Sequence, residues 1–306
     1  MTAIGAAVGV VIDELVGEPP YPRHPVALFG SAMTRIERLT YADSRLAGVV
    51  HLSLGVGLAL AVGRLATRLV GRNVATAAAV AVCAAGRMLD TEALAVRDLL
   101  RARRLPEARL RVRSLVGRDT GQLGDEELCR AVIESVAENL VDAVIAPLWW
   151  GAVAGPAGAL AHRAVNTLDA MVGHRNRRYL RFGWAAARAD DLANFVPARL
   201  AALAVAASHP ERAGAVQRVV RRDAPRHPSP NGGVIEAAFA AALGITLGGA
   251  NRYGDVLEDR GVLGEGGAPS MDDIERAVRL RRRVSRAVAL AAMTAGALSS
   301  YRRRNR

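Results

Sequence analysis

Apolar runs of helix length alternate with basic, amphipathic stretches along this chain, and that alternation predicts an all-α protein. Met1 to Gly17 is apolar but opens without a positive n-region, lacks a cleavage site and carries Asp13, so it reads as retained structure instead of a signal peptide. Leu46 to Gly63 is uncharged, with His51 its one ionisable interruption and Arg45, Arg64 and Arg68 at its flanks, which is about the minimum for a membrane span. Asn73 to Gly86 is shorter and suits a buried helix or half of a re-entrant pair. Ala143 to Ala161 is uncharged but broken by Pro147 and by Gly155-Pro156, with Trp149 and Trp150 between, the composition of a kinked span or an anchored hairpin. Ala198 to Ser208 and Val234 to Leu247 add further apolar helices. The last helix, with Ser270 and Asp273 as its capping box, is basic from Arg276 to Arg286 and apolar from Ala287 to Ser300.

The polar stretches between these runs carry their own signals. Four prolines between Gly17 and Val26 force a stiff extended loop that would hold Glu18, Arg23 and His24 in place, and helical pattern resumes at Ser31. Arg87 to Arg118 is strongly basic, as expected of a cytoplasmic segment, and the terminal arginines from Arg302 suit the cytoplasmic membrane surface. Asp125 reads as a helix N-cap with Glu126 and Glu127 in the first turn, and Gly261 to Pro269 as a flexible loop. The whole is read as one helical membrane domain over residues 1–306, polytopic, with amphipathic helices and Pro/Gly-rich loops at a cytoplasmic active face of the cell membrane.

Composition narrows the chemistry. A 51% hydrophobic content and positive mean hydropathy over 306 residues lean toward a membrane protein. All 41 basic residues are Arg, which excludes a Schiff-base lysine, a lysyl nucleophile and a P-loop lysine. The net charge of +12 points to anionic substrates or lipid, and the 4% aromatic content without interleaving among the arginines argues against nucleic acid. Cys83 and Cys129 show no metal-ligand spacing and read as core thiols. Internal repeats, zinc patterns, a Gly-x-Ser-x-Gly elbow and a Walker A motif are all missing from the sequence.

Most of the carboxylates that stand beside apolar runs lie between Arg118 and Leu200. At 3.6 residues per turn, Glu134, Ser135, Glu138, Asn139 and Asp142 share an arc of roughly 140°. Glu134, Glu138 and Asp142 form an i, i+4, i+8 ladder whose mutual repulsion calls for a compensator, either Mg²⁺ or arginines across a helix interface. Asn166 and Asp169 face one way on the next helical piece, and Gly173 to Gly183, with Arg175 in it, is a basic turn suited to clamping phosphate. Asp190, Asp191 and Asn194 follow on one helix that Pro197 is expected to end, a spacing similar to the diphosphate-Mg²⁺ boxes of prenyl transferases. A rigid loop over Asp223 to Gly233, with Arg226, His227, Ser229 and Asn231, opens into an apolar helix whose exposed amides would form an anion site or a plain capped turn. Glu236 in that helix would oppose an anion unless it met a metal or an amine.

Several of these motifs occur in a known order. Asp13-x-x-x-Gly17-Glu18-Pro19-Pro20 with His24-Pro25-Val26, Arg118-Asp119-Thr120, Glu134 to Asn139 with Asp142, Asn166-Thr-Leu-Asp169, Asp190 to Asn194 with Pro197-Ala-Arg199, and His227-Pro-Ser229-Pro-Asn231 closely resemble the CobD/CbiB family of cobalamin biosynthesis proteins, from the N-terminus to about Gly254. The resemblance implies an integral membrane enzyme, adenosylcobinamide-phosphate synthase. Such an enzyme joins the corrinoid adenosylcobyric acid to (R)-1-amino-2-propanol phosphate through an amide bond, with ATP as activator.

Carried onto this chain, the resemblance makes Glu134, Glu138, Asp142, Asp190 and Asp191 the Mg²⁺ ligands. Glu138 and Asp191 would be catalytic, with His24 or His227 as general base. Arg118, Arg175 and Arg199 would hold phosphate, and Asn166, Asp169, Asn194, Ser229 and Asn231 would bind and orient substrate. The lipid bilayer is a partner, nucleic acid is not, and there is room for association with other corrin-pathway enzymes and for a homo-oligomer. Two rival readings are a Mg²⁺-dependent membrane prenyl or diphosphate transferase and a non-enzymatic membrane sensor or transporter.

Overall fold

A computed structural model describes residues 2–17, 24–174, 176–253 and 256–304; Glu18, Arg23 and Arg175 lie outside them. In chain order the helices are α1 (Thr2–Val16), α2 (Pro25–Thr40), α3 (Arg45–Val70), α4 (Arg72–Cys83), α5 (Gly86–Arg101), α6 (Leu105–Arg111), α7 (Asp125–Leu140), α8 (Ala146–Ala154), α9 (Pro156–Val172), α10 (Trp184–Ala193), α11 (Phe195–Ser208), α12 (Ala213–Asp223) and α13 (Gly232–Leu243). An antiparallel hairpin, β1 (Leu247–Tyr253) and β2 (Val256–Leu263), precedes the long helix α14 (Met271–Arg304). The chain divides into two compact units, one comprising Met1–Ala85, Asp142–Asn194 and Val288–Arg306, the other Gly86–Val141 and Phe195–Ala287.

The first unit is a helical bundle around α9. Helix α3 lays Gly48, Gly55, Ala59 and Gly63 inward, and a Cβ on Gly63 would stand 2.5 Å from Ala157 Cα, so the close crossing of α3 and α9 depends on a bare glycine. Its other face shows Leu54, Leu58, Leu65 and Leu69 to the surroundings. With 26 residues, about 39 Å of rise, α3 is long and apolar enough to cross a membrane. The stretch Arg72–Arg101, which contains α4 and α5, passes the same test.

Helix α2 begins earlier than the apolar pattern suggests because Pro25 occupies N1, where its missing N–H is not needed, and His24 caps it through Nδ1 accepting from Val26 N at 3.2 Å. Between α7 and α8 the chain makes a π-turn over Val141–Ile145. Pro147 cannot donate to the Ala143 carbonyl, which accepts from Ala85 N at 3.0 Å instead. Gly155-Pro156 separates α8 from α9 as its residue types predict. Pro197, expected to end a helix, sits in the first turn of α11, where a missing amide is tolerated.

The second unit packs α5, α6 and α7 together, and α11 and α12 around the almost wholly buried α13. Among the described residues the hairpin, with an isolated bridge between Ile245 and Gly267, departs from the all-α expectation. Gly248 and Gly261 both have positive φ and allow the strands to meet, since a Cβ on Gly248 would overlap the Gly261 carbonyl. Residues 261–263, expected in a flexible loop, end β2. Gly124, not Asp125, is the N-cap of α7, with Glu127 Oε2 accepting from its N–H at 2.9 Å. Ser270 and Asp273 do form the capping box of α14, through bonds of 2.8 and 2.7 Å to Asp273 Oδ2.

Candidate active site

In the first unit, α9 and α10 bring two of the motifs face to face. Asn166 Nδ2 donates to Asp190 Oδ1 at 3.3 Å and Asn194 Nδ2 donates to Asp190 Oδ2 at 3.0 Å. Because the Asn194 amide nitrogen serves Asp190, its Oδ1 must accept from His162 Nε2, 2.8 Å away, which places the His162 proton on Nε2. Arg163 Nη1 donates to Asn166 Oδ1 at 3.3 Å. Asp191 pairs with Arg188 at 3.2 Å on the exposed side of α10.

Burial, then the charges of Asp190 and Asp191, push the Asp169 carboxyl up to about 7. Burial also raises Asp190, and Asp191 adds to that, while the two amide bonds pull the other way. Burial and repulsion between the acids thus both favour the protonated form of Asp169 and Asp190. The donors of the cluster are all oxygens, the set that Mg²⁺ prefers.

His24 lies in the same unit, with burial and then the Arg163 charge lowering its pKa, so it is neutral near pH 7. Asp142, half-buried, falls in the π-turn. In the basic turn, Arg178 donates to Glu37 at 3.0 Å and stacks 4.1 Å from the Tyr41 ring, which ties the turn to α2.

In the second unit, Glu138 on α7, His227 in the Pro-rich loop and Glu236 on α13 converge, with one ligand atom from each within 4.8 Å of the others. Gly232 and Gly233 permit it. A Cβ on Gly232 would stand 3.1 Å from both Glu138 Oε1 and His227 Cε1, and one on Gly233 would stand 2.5 Å from His227 Cβ. His227 Nε2 is 3.4 Å from Glu236 Oε1, with both side chains wholly buried. Arg260 of β2 reaches Glu138 Oε1 at 3.3 Å and Glu236 Oε1 at 3.6 Å.

Burial drives the Glu236 carboxyl well above the ordinary range, reinforced by the charges of Glu138 and Glu134 and opposed by Arg260. Burial lowers His227, and Arg260 adds to it, so this imidazole too is neutral near pH 7.

Several residues expected to face a ligand are engaged with the protein. Glu134 Oε2 meets Arg118 Nη2 at 2.8 Å and its Oε1 accepts from Gly248 N at 2.8 Å. Arg118 also donates to Asn251 Oδ1, so the pair ties α7 to the hairpin and matches the arginine alternative for the ladder. Arg199 donates to Asn231 Oδ1 at 2.9 Å and to the Pro230 carbonyl at 3.3 Å, which pins the loop. Ser229 Oγ accepts from Gly232 N at 3.0 Å and Asn231 N at 3.3 Å. The amides expected to be open to an anion at the start of α13 are therefore capped from within, the plain-turn alternative.

His162 and Arg260 escaped the sequence reading. His162 stands one turn before Asn166 but outside the motif itself, and Arg260 is one arginine among 41, next to a stretch expected to be a loop.

A family model described as CobD/Cbib protein matches residues 6–281. A protein of Mycobacterium tuberculosis named cobalamin biosynthesis protein CobD is 46% identical over 308 residues, covering 99% of this chain and 97% of the relative. Proteins of the same name from Pelobacter propionicus (42% identical, 85% and 84% covered) and Chromobacterium violaceum (40% identical, 92% and 93% covered) also match. No solved structure matches.

Proposed function

Because the chain belongs to the CobD/CbiB family, we infer that it is the amide-forming enzyme of cobalamin biosynthesis, adenosylcobinamide-phosphate synthase. Its substrates are adenosylcobyric acid and (R)-1-amino-2-propanol phosphate. The observation that carries this reading is the match across residues 6–281, which takes in the asparagine and aspartate motifs that meet at α9 and α10.

A free carboxylate is a poor electrophile, so the reaction needs an activator, and ATP fills that role in this proposal. Asp169 and Asp190 would offer oxygens to Mg²⁺, which would neutralise phosphate charge, while Asp191 is paired with Arg188. Asn166 and Asn194 orient Asp190, and His162 fixes the orientation of Asn194. Arg163, bonded to Asn166, is a cation beside this set for a substrate phosphate. The attacking amine must lose a proton, and the neutral imidazole of His24 or of His227 would take it.

The outward apolar face of α3 supports a bilayer setting, and a multi-pass arrangement with a cytoplasmic active face completes the proposal. The test is a mass-spectrometric assay of detergent-purified protein with both substrates and Mg²⁺, with and without ATP. Adenosylcobinamide phosphate formed only with ATP, alongside ADP, is the expected result. Product without ATP overturns the activation step, and no product from folded protein overturns the synthase reading.

A further inference from the structure

One cationic neighbour, Arg260, leaves the Glu138, His227 and Glu236 cluster incompletely served. Among the described residues neither Glu236 oxygen meets an N–H donor within hydrogen-bond reach, a proton shared with Glu138 being its one hydrogen bond, although the side chain is wholly buried, and His227 Nε2 makes none while facing it. A buried carboxylate in that state costs stability unless a proton or a cation compensates it. Arg260 stands at 3.6 Å from Glu236, but it is shared with Glu138 and Glu258, so three carboxylates surround one guanidinium.

We propose that Glu138, His227 and Glu236 bind a divalent transition-metal ion, in preference to Mg²⁺. The donor set is one imidazole nitrogen and two carboxylates. Imidazole suits Fe²⁺ or Zn²⁺ and the carboxylates suit Mn²⁺ as well, whereas Mg²⁺ favours oxygen and retained water. Ser229 N donates to His227 Nδ1 at 3.0 Å and the Ser229 carbonyl oxygen lies 3.2 Å from the same nitrogen, so an ion on Nε2 takes the tautomer in which Nδ1 donates to that carbonyl. The loop that carries the imidazole is pinned by Arg199 and capped by Ser229, so the ligand is held before any ion arrives. Gly232 leaves the centre of the cluster open where any side chain would fill it. Glu138, one third exposed, gives the ion a way in.

The inference stands apart from the amide-forming reaction, but it bears on it. A His227 bound through Nε2 is not available as the base, which leaves His24.

The test is metal content, not turnover. Full-length protein in detergent, stripped with a chelator, is dialysed against Mn²⁺ or Zn²⁺ with about a hundredfold excess of Mg²⁺ and analysed by mass spectrometry, with Mn²⁺ followed by electron paramagnetic resonance. The expected result is one retained equivalent, with nitrogen coupling in the Mn²⁺ signal, and binding weakened roughly 10–100-fold or more in the near-isosteric Glu236→Gln and in His227→Gln. No retained ion in folded wild-type protein overturns the proposal, because Arg260 and a proton shared by the carboxylates then satisfy the cluster. An ion retained equally by both variants overturns it as well. Neither result touches the outcome of the synthase assay.

Discussion

Glu134 and Arg118 meet at 2.8 Å with both side chains almost wholly buried, 3% and 4% exposed. The pair also takes in Gly248 N and Asn251, so removing one partner leaves a charge in the interior and loosens the hairpin. Arg118→Leu or Glu134→Gln should lower unfolding stability by about 3 kcal/mol, and the double variant should recover part of that loss. Denaturant unfolding in detergent measures it. Equal stability of the single variants and wild type would show that the pair is not structural.

Asp190 is the opposite case. Its carboxylate is held by two amides, and burial pushes both it and the neighbouring Asp169 toward neutrality, so Asp190→Asn removes unwanted charge from the folded state. The melting temperature should stay the same or rise while turnover falls. Asn194→Ala should act through Asp190, lowering kcat roughly 10–100-fold. Steady-state kinetics beside thermal melts check both, and a Tm that falls in step with activity would make Asp190 a packing residue.

Helix periods, the breaks at Gly155-Pro156 and the capping box at Ser270 were legible because each depends on local chemistry. The meeting of Asn166 with Asp190 was half legible. The residue types marked a site, but which oxygen takes which amide depends on the crossing of α9 and α10 and on His162.

The Glu134, Glu138 and Asp142 ladder looked like one set by helical spacing. Instead its members have different surroundings, since partners from distant segments decide them: Arg118 and Gly248 for Glu134, His227 and Glu236 for Glu138. The hairpin was hidden because its strands carry glycines that normally mark loops.

Gly63 offers a test of the first unit's packing. A Cβ there would stand 2.5 Å from Ala157 Cα, a backbone atom that cannot swing aside. Gly63→Val should separate α3 from α9 and destabilise the protein, whereas Gly57→Val on the same helix, where a Cβ meets nothing within 4 Å, should be close to neutral. Thermal melts of the two variants in one detergent settle it, and equal melting would contradict the observed crossing.

Asp223 gives the pH dependence a sign. Arg222 donates to both of its oxygens at 2.8 Å and Gly264 N to one at 3.0 Å. The Arg222 bonds hold this carboxyl below its ordinary value, against the opposing effect of burial and with help from Gly264. A carboxyl whose folded pKa is depressed binds its proton less readily when folded. Its contribution is therefore complete above the unfolded pKa, about 3.9, and is lost as pH falls through the lower folded value. Wild-type protein should lose stability as pH is taken below about 4. Asp223→Asn should start less stable at pH 6 and decline less steeply, so the two curves approach each other in acid. Parallel curves from pH 6 to 3 would place the acid-sensitive group elsewhere.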